Sequence, residues 1–287
     1  MKKAFACLLL AVLAPHGGLA ASTNDVPKLY AYCVQEGDAM KRALPEEARL
    51  LRELGYDGGG YPLWLGETLD ANLKVLDEAG LPAYLFWVAL DLRKPLDPQV
   101  LSAVGRLKGR PATVSVLLAG FPAGDPQGME PAVQTLRQLG DAAAANGVRV
   151  SIYHHVGNWT ESLPFTVEVV RKANHPQVGF NFNLCHWLKV NSAEDYRPLL
   201  KAQAGKLYVV TLNGATVGAA TWTNGLIRPL DEGDFDNRQL LATLREIGYR
   251  GPVGLMCFGV PGDARDHLTR SMATWRKLTD QPPTQPK

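Results

Sequence analysis

The sequence predicts an α/β fold, a single (β/α)8 TIM barrel. Short apolar segments typical of buried strands alternate with amphipathic segments typical of helices, and eight such pairs follow one another along the chain. This alternation predicts βαβ units and a parallel sheet, and eight units favour a closed barrel over an open sheet. The length of 287 residues suits a fold that needs about 250 residues. No GxGxxG motif follows the first strand, which argues against a dinucleotide-binding fold.

The predicted strands are apolar runs, several of which end in His, Asn, Tyr or Trp. They cover residues 28–34, 56–61, 81–90, 112–118, 148–154, 178–183, 207–212 and 253–258. The predicted helices have boundary residues of the expected kinds: Pro45 lies in a first turn, Asp97 precedes a proline as an N-cap, and Gly147 ends a helix. They cover residues 45–54, 67–79, 97–107, 131–146, 163–173, 193–204, 237–247 and 263–278.

The start of the chain has the composition of a secretory signal peptide. Two lysines are followed by an apolar run at residues 4–14, too short to span a bilayer, and then by small residues typical of a cleavage site. We therefore expect a signal peptide at residues 1–21, a barrel at residues 22–279 and a mobile tail at residues 280–287. The mature protein is expected to be periplasmic or secreted.

Charge and hydrophobicity narrow the class of partner. The formal net charge is +2 and no basic stripe is present, which argues against nucleic acid as a partner. The hydrophobic content of 46% is ordinary for a globular protein. No internal apolar run reaches the roughly 18–20 residues that a transmembrane helix needs. The mature form is therefore expected to have no membrane partner.

The cysteines leave one question open. Loss of the signal peptide would leave Cys33, Cys185 and Cys257, an odd number for an oxidising compartment. Cys33 and Cys257 fall near the ends of the first and last predicted strands, which become neighbours when a barrel closes. They could form a disulfide or stay as buried free thiols. No CxxC pair indicates a zinc site.

Polar and aromatic residues at predicted strand ends indicate a site. In a barrel of this kind the carboxyl ends of the strands carry the chemistry. The candidates are Tyr153, His154, His155, Asn183, His186 and Asn213. Imidazoles can exchange protons or bind a metal ion, whereas the amides and the phenol can hold sugar hydroxyls. Each could instead be structural, as a buried hydrogen-bonding group or a turn cap, and only one of the adjacent His154 and His155 should face the centre.

Five of the six tryptophans also follow predicted strands. They are Trp64, Trp87, Trp159, Trp187 and Trp222. Flat indole faces suit the apolar faces of sugar rings, so these side chains are candidates for carbohydrate binding. The alternative is that the rings fill the top of the barrel as packing.

Five segments, in order along the chain, carry a resemblance to a known family. They are ELGYDG at 53–58, GVRVSIYHH at 147–155, VGFNFNLCHWL at 178–188, PLDEGDFD at 229–236 and GYRGPVGLMCFG at 248–259. They resemble the xylose-isomerase-like TIM-barrel family, which includes sugar isomerases, epimerases and endonuclease IV, and are most similar to an exported branch of it. The resemblance implies a TIM barrel and a carbohydrate as substrate class.

The same resemblance puts the family's metal site in doubt for this chain. Active isomerases and epimerases of the family hold a divalent metal with two Glu, an Asp and a His at four strand ends, and both Glu also transfer protons. The matching positions here are Tyr153, Asn183, Thr211 and Met256. Without carboxylates a hard cation such as Mg²⁺ or Mn²⁺ is disfavoured. One divalent metal, if present, would be of a borderline kind held by His155 or His154 with His186.

Three functional hypotheses follow from the sequence. The first is an exported enzyme that isomerises, epimerises or cleaves a sugar or glycoside by proton transfer next to a carbonyl, with His155, His186, His154 and Tyr153 as catalytic residues. In this hypothesis Asn183, Asn213 and the five tryptophans bind the substrate. The second is a carbohydrate-binding barrel without catalysis. The third is a nuclease, which the near-neutral charge disfavours.

Overall fold

The computed structural model describes residues 26–191 and 194–280 and shows a closed barrel of eight parallel strands, paired in sequence order. The predicted (β/α)8 barrel is thereby confirmed. The strands are β1 (Leu29–Tyr32), β2 (Gly58–Pro62), β3 (Ala83–Asp91), β4 (Thr113–Ala119), β5 (Arg149–Ile152), β6 (Val178–Asn183), β7 (Leu207–Leu212) and β8 (Val253–Met256). The predicted signal peptide and the tail beyond residue 280 lie outside the described residues.

The helices pack around the barrel. In the described residues they are α1 (Leu44–Leu54), α2 (Gly66–Glu78), α3 (Pro98–Arg106), α4 (Met129–Asn146), α5 (Leu163–Ala173), α6 (Leu184–Asn191), α7 (Arg197–Ala202), α8 (Asn237–Glu246) and α9 (Ala264–Thr279). The Asp97 carboxylate accepts a hydrogen bond from the backbone N–H of Gln99, and Gly147, with φ of 68°, ends α4, both as predicted. Across residues 26–191 and 194–280, no helix has the length and apolar character needed to cross a membrane.

Two predicted boundaries at the mouth of the barrel were wrong. Strand β5 ends at Ile152 because the backbone N–H of Asn183, the next donor along β6, binds Nε2 of His154 at 3.0 Å. Helix α6 follows β6 at once, where no helix was predicted, and the helix predicted at residues 193–204 corresponds to α7. The side-chain oxygen of Asn183 accepts the backbone N–H of His186 at 3.3 Å, which is the hydrogen bond of an N-cap. His186 therefore lies in the first turn of a helix, whereas a loop was predicted.

Glycines in two strands admit tyrosine rings into the barrel. Tyr30 and Tyr32 alternate along β1 and are both buried. A Cβ atom at Gly60 would lie 2.7 Å from the Cβ of Tyr32, and one at Gly254 would lie 2.6 Å from the Tyr30 ring. A larger residue at either position would overlap a tyrosine side chain of β1. The glycines of β2 and β8 thus make room for aromatic side chains from β1.

The interior just below the mouth is polar. The hydroxyls of Ser115 and Ser151 lie 2.8 Å apart, and the Asn181 amide donates to Ser115 at 2.8 Å. All three side chains are buried. These hydrogen bonds join β4, β5 and β6, the same part of the barrel that carries the histidines.

The three cysteines among the described residues are free thiols. The backbone N–H of Cys257 donates to the carbonyl oxygen of Tyr32 at 3.0 Å, so Cys33 and Cys257 follow neighbouring strand positions, as predicted. Burial raises the pKa of both thiols above the usual value.

Candidate active site at the barrel mouth

A cavity of about 350 Å³ opens at the carboxyl end of the barrel. The residues that line it are Tyr32, Cys33, Glu36, Trp87, Leu117, Tyr153, His155, Val156, His186, Trp222, Ile227, Met256 and Phe258. Their positions in the strand order separate them into two groups. A polar band, defined as Tyr32, Tyr153, His155 and His186, runs from β1 across the barrel axis to β5 and β6. Apolar flanks lie on either side. One is formed by Trp87 of β3 and Leu117 of β4, and the other by Trp222 and Ile227 after β7, Met256 at the end of β8 and Phe258 after it.

Two tyrosine hydroxyls meet at the centre of the polar band. The hydroxyl oxygens of Tyr32 and Tyr153 lie 3.1 Å apart, and Nδ2 of Asn183 donates to them at 2.7 and 2.8 Å. Strands β1 and β5 are opposite one another in an eight-stranded barrel, so this contact crosses the axis. The Asn183 oxygen accepts hydrogen bonds from the Cys185 thiol and the His186 backbone, which fixes the orientation of the amide. Asn183 thus orients the phenols from below.

Burial keeps both phenols in their neutral form. Desolvation raises the pKa of Tyr32 and of Tyr153 well above the usual value of 10.0, and their mutual proximity adds to the increase for Tyr32. A neutral phenol donates a hydrogen bond but does not serve as a base at neutral pH. Each phenol can therefore donate a hydrogen bond as well as accept the one from Asn183.

The backbone of Val156 sets the tautomers of the two histidines in the band. Nδ1 of His155 lies 2.8 Å from the Val156 carbonyl oxygen, which can only accept, so this nitrogen carries the hydrogen. The Val156 N–H donates to Nδ1 of His186 at 3.3 Å, so the neutral His186 ring carries its hydrogen on Nε2. In the described structure neither Nε2 atom has a hydrogen-bond partner. His155 thus offers a lone pair and His186 offers an N–H.

Both imidazoles are neutral at physiological pH. Burial lowers the pKa of His155, and burial together with the neighbouring His155 lowers the pKa of His186 well below 6.5. The ring centroids of the two histidines are 4.1 Å apart. The ring of Tyr153 lies 5.6 Å from that of His155 and 5.5 Å from that of His186. A base, a proton donor and a phenol therefore lie within reach of one small molecule.

Of the two adjacent histidines, only His155 faces the cavity. His154 is 1% exposed, and its Nε2 accepts the backbone N–H of Asn183. Burial lowers its pKa to about 3. The structure therefore gives His154 a supporting role beneath the site, in place of the catalytic role that the sequence suggested.

The tryptophans divide between the cavity and the packing. Trp87 and Trp222 line the cavity, and the Trp222 ring lies 5.1 Å from that of His186. Trp159 is 0% exposed and donates to the Asp125 carbonyl oxygen, Trp187 is buried against neighbouring rings, and Trp64 stacks on a tyrosine beside the cavity lining. The buried Trp159 and Trp187 therefore fit the packing alternative, whereas contact of the half-buried Trp64 with a ligand stays a prediction.

Asn213 also lies outside the cavity. Its amide nitrogen donates to the carbonyl oxygens of Gly214 and Leu226, at 2.7 Å in both cases. These bonds tie together the two ends of the loop that carries Trp222. The predicted hydrogen bond from Asn213 to a sugar is therefore replaced by a loop-closing role.

Sequence reasoning missed Tyr32 and Val156. The Tyr-Ala-Tyr pattern of β1 lies beside three consecutive glycines in the neighbouring strand β2. This combination could have indicated that aromatic rings enter the barrel here. The role of Val156 comes from its backbone alone, so no feature of its side chain could have revealed it.

The residues at this mouth do not fit the metal that the family resemblance implies. Within the described residues no group of three or more His, Cys, Asp or Glu side chains is arranged to hold an ion. Glu36 at the rim is the one carboxylate that lines the cavity. His186 uses its lone pair to accept the Val156 N–H, so the predicted pair of His155 and His186 offers a single nitrogen lone pair. Such a donor set suits neither a hard nor a borderline divalent ion.

Comparison with known proteins identifies the family. Residues 101–278 match the family model described as a xylose isomerase-like TIM barrel, and the chain therefore belongs to that family, as the sequence motifs predicted. Comparison with curated proteins gives no match.

Solved structures with the same fold include several enzymes. The probable 3-DHS dehydratase AsbF from Bacillus anthracis is 17% identical and matches 86% of this chain and 98% of its own, with a TM-score of 0.68. The 3-keto-D-glucoside 4-epimerase YcjR from E. coli is 16% identical over 88% of this chain and 99% of its own, with a TM-score of 0.65. A D-allulose 3-epimerase from Methylomonas sp., solved with D-allulose, is 13% identical over 88% of this chain and 97% of its own, with a TM-score of 0.64.

Proposed function

We propose that this chain is an enzyme that moves a proton at a carbon next to the carbonyl group of a sugar or glycoside. The observation that carries the proposal is the pairing of the His155 lone pair with the His186 N–H in one cavity, beside two neutral phenols. The fold shared with two sugar epimerases and a dehydratase supports this substrate and reaction class. The site is divergent, because Tyr153, Asn183, Thr211 and Met256 stand where family members carry metal ligands.

The reaction begins with proton transfer to His155. Its Nε2 takes a proton from the carbon next to the carbonyl, and the electron pair of that C–H bond forms a C=C bond while the carbonyl oxygen becomes an enolate oxygen. The Nε2–H of His186 can then protonate the former carbonyl carbon, while the neighbouring hydroxyl passes its proton to the enolate oxygen and becomes the new carbonyl. Alternatively it protonates a β-hydroxyl group, which leaves as water as the enolate re-forms its carbonyl and a C=C bond forms to the β-carbon. His155 then passes its proton to His186, directly or through water, which restores both rings.

The spacing of the two rings favours some outcomes over others. A sugar ring between two bases needs about 7 Å between them, twice the ordinary van der Waals separation of about 3.5–4.0 Å. The centroids of His155 and His186 are only 4.1 Å apart, so both rings lie on one side of the substrate. Transfer on one face suits isomerisation or elimination better than a two-base epimerisation.

The apolar flanks suit the apolar face of a sugar ring. Trp222 is partly exposed to the cavity and is supported from outside by Lys189, whose Nζ lies 5.6 Å from the indole centroid. Trp87 lines the opposite flank. Apart from Glu36 the lining carries no formal charge, which favours an uncharged carbohydrate over nucleic acid as the partner.

Hydrogen exchange tests the proposal directly. Wild-type protein is incubated in D₂O with methyl 3-keto-D-glucoside or with D-allulose, and deuterium at carbon is followed by NMR. We expect exchange by the wild type and a fall of about 10³-fold for His155→Gln, within the range of general acid–base catalysis. His175→Gln is the matched control, because that histidine follows α5 at the opposite end of the barrel and contacts Asp141. Equal rates for the two variants would contradict the role of His155.

A carbohydrate-binding barrel without turnover is the second candidate. The lowered pKa of His186 favours it, since this ring accepts protons poorly at neutral pH. Quenching of tryptophan fluorescence by the same two sugars, without any exchange of deuterium, would establish this alternative.

Export is also part of the proposal. It rests on the sequence of residues 1–21, a charged start followed by a short apolar run and small residues. Expression in a bacterium followed by fractionation and N-terminal sequencing tests it. A mature chain starting near residue 22 outside the cytoplasm is expected, and an intact Met1 in the cytoplasm would contradict export.

A further inference from the structure

One hydroxyl hydrogen of the Tyr32–Tyr153 pair has no hydrogen-bond acceptor in the part of the chain that the structure describes. The role inferred for it rests on the proposed function. The Asn183 amide and the two phenols together hold four donor hydrogens. Three are used, two in the amide bonds to Tyr32 and Tyr153 and one between the phenols. Among the described residues, no acceptor is available for the fourth.

The left-over hydrogen belongs to a residue that lines the cavity. Whichever phenol donates in the pair, the other keeps a free O–H, and both tyrosines line the cavity. The contact crosses the barrel axis between β1 and β5, and each histidine ring lies about 5.5 Å from that of Tyr153. A carbonyl oxygen bound at the phenols would therefore place the adjacent carbon beside His155.

We propose that the Tyr32–Tyr153 pair donates a hydrogen bond to the substrate's carbonyl oxygen and stabilises the negative charge that forms there when His155 removes the proton. In family members with a metal ion, a cation can carry that charge. Here Tyr153 and Asn183 stand at two of the ligand positions, and the donor set at the mouth does not fit a divalent ion. The pair thus supplies electrostatic stabilisation from neutral, preorganised donors.

Because either phenol can supply the free O–H, we expect the effects of replacing Tyr32 and Tyr153 on kcat to be strongly non-additive. Tyr32→Phe or Tyr153→Phe alone leaves the other phenol with a free O–H a few ångströms away, so we expect each to lower kcat for exchange on methyl 3-keto-D-glucoside by about tenfold. The double variant removes both hydroxyls and should lower kcat by about 10³-fold, near the upper end for loss of an oxyanion donor. Tyr196→Phe, a buried tyrosine outside the cavity lining, is the matched control. Equal kcat for the wild type and the double variant would overturn the inference.

Metal dependence separates this inference from the family's chemistry. Wild-type protein treated with a chelator should keep its exchange rate and contain no stoichiometric metal by elemental analysis. Loss of exchange that Mn²⁺ or Zn²⁺ restores would overturn the inference while leaving proton transfer, and hence the proposed function, intact.

A binding measurement tests the pair even if no exchange occurs. Methyl 3-keto-D-glucoside and methyl D-glucoside differ by one carbonyl group, and their affinities follow from tryptophan fluorescence. We expect the wild type to prefer the keto sugar by about tenfold and the double variant to lose this preference, with circular dichroism confirming that it is folded. Equal affinity of the wild type for both sugars, or binding of neither, would overturn the inference.

Discussion

The polar band and the apolar flanks are held in place in different ways. Every member of the band is fixed by specific hydrogen bonds: Asn183 orients the two phenols and Val156 orients the two imidazoles. The side chains of the flanks are held by ring and apolar contacts, as with Trp222 against His186 and Lys189. Chemistry requires groups placed within fractions of an ångström, whereas binding an apolar ring face tolerates small movements. The hydrogen-bonded band is therefore suited to the proposed proton transfer, and the packed flanks are suited to binding the sugar.

The largest effect on stability is expected at Gly60 of β2, which packs against Tyr32 of the polar band. In Gly60→Ala the new methyl group would lie 2.7 Å from the Cβ of Tyr32, so the strand or the ring must shift. We expect a loss of about 2 kcal/mol in the free energy of unfolding, typical of overpacking. Urea denaturation measures it, and Gly205→Ala is the control, because this exposed glycine has no positive φ and a Cβ atom there would meet nothing within 4 Å. A loss no greater than in the control would show that Tyr32 is not tightly held.

A flank substitution should change binding and leave chemistry intact. Trp222→Leu removes the indole face but keeps an apolar side chain, so KM should rise about tenfold with kcat nearly unchanged, in line with about 1 kcal/mol for aromatic contacts. Steady-state kinetics on methyl 3-keto-D-glucoside measure both constants. Val217→Ala is the control, because this exposed residue lies in the same loop outside the cavity lining. A fall in kcat as large as the rise in KM would show that Trp222 also acts in the chemical step.

The smallest effect concerns His154, which lies beneath the polar band, and the loss of stability of the protein at acid pH. The pKa of His154 is lowered from 6.5 to about 3 in the folded state, so between these values the unfolded chain binds more protons. The free energy of unfolding therefore falls as the pH drops from 6.5 towards 3, because protonation of His154 favours the unfolded chain. We expect His154→Gln, whose side-chain oxygen can still accept the Asn183 N–H, to lose about 1 kcal/mol less than the wild type between pH 7 and pH 5.5. Parallel losses measured by urea denaturation would contradict the burial of an uncharged His154.

The sequence predicted the barrel better than the site, for physical reasons. Alternating apolar patterns and helix caps such as Asp97 and Gly147 act locally, so they are readable along the chain. Tyr32 and Tyr153 meet across the barrel axis, a contact between residues 121 positions apart that no local pattern encodes.

The outcome for the histidines and tryptophans shows the same limit. Alternation along a strand predicted that only one of His154 and His155 faces the centre, and this is confirmed. Which one faces it depends on a hydrogen bond from Asn183 on the next strand. Burial of Trp159 and Trp187 likewise depends on contacts with other rings, among them Phe165 for Trp159 and Tyr196 for Trp187, so their position after a strand did not reveal it.

The two hydrogen bonds of Val156 have a consequence for how this site can evolve. One residue's N–H and C=O hold the acid and the base, so a shift of this loop moves both imidazoles at once. Gly157, with φ of 85°, follows directly and allows the turn that makes both contacts. In the proposed mechanism, mutations that move this loop would therefore change both proton transfers together, so the two steps would be inherited and selected jointly.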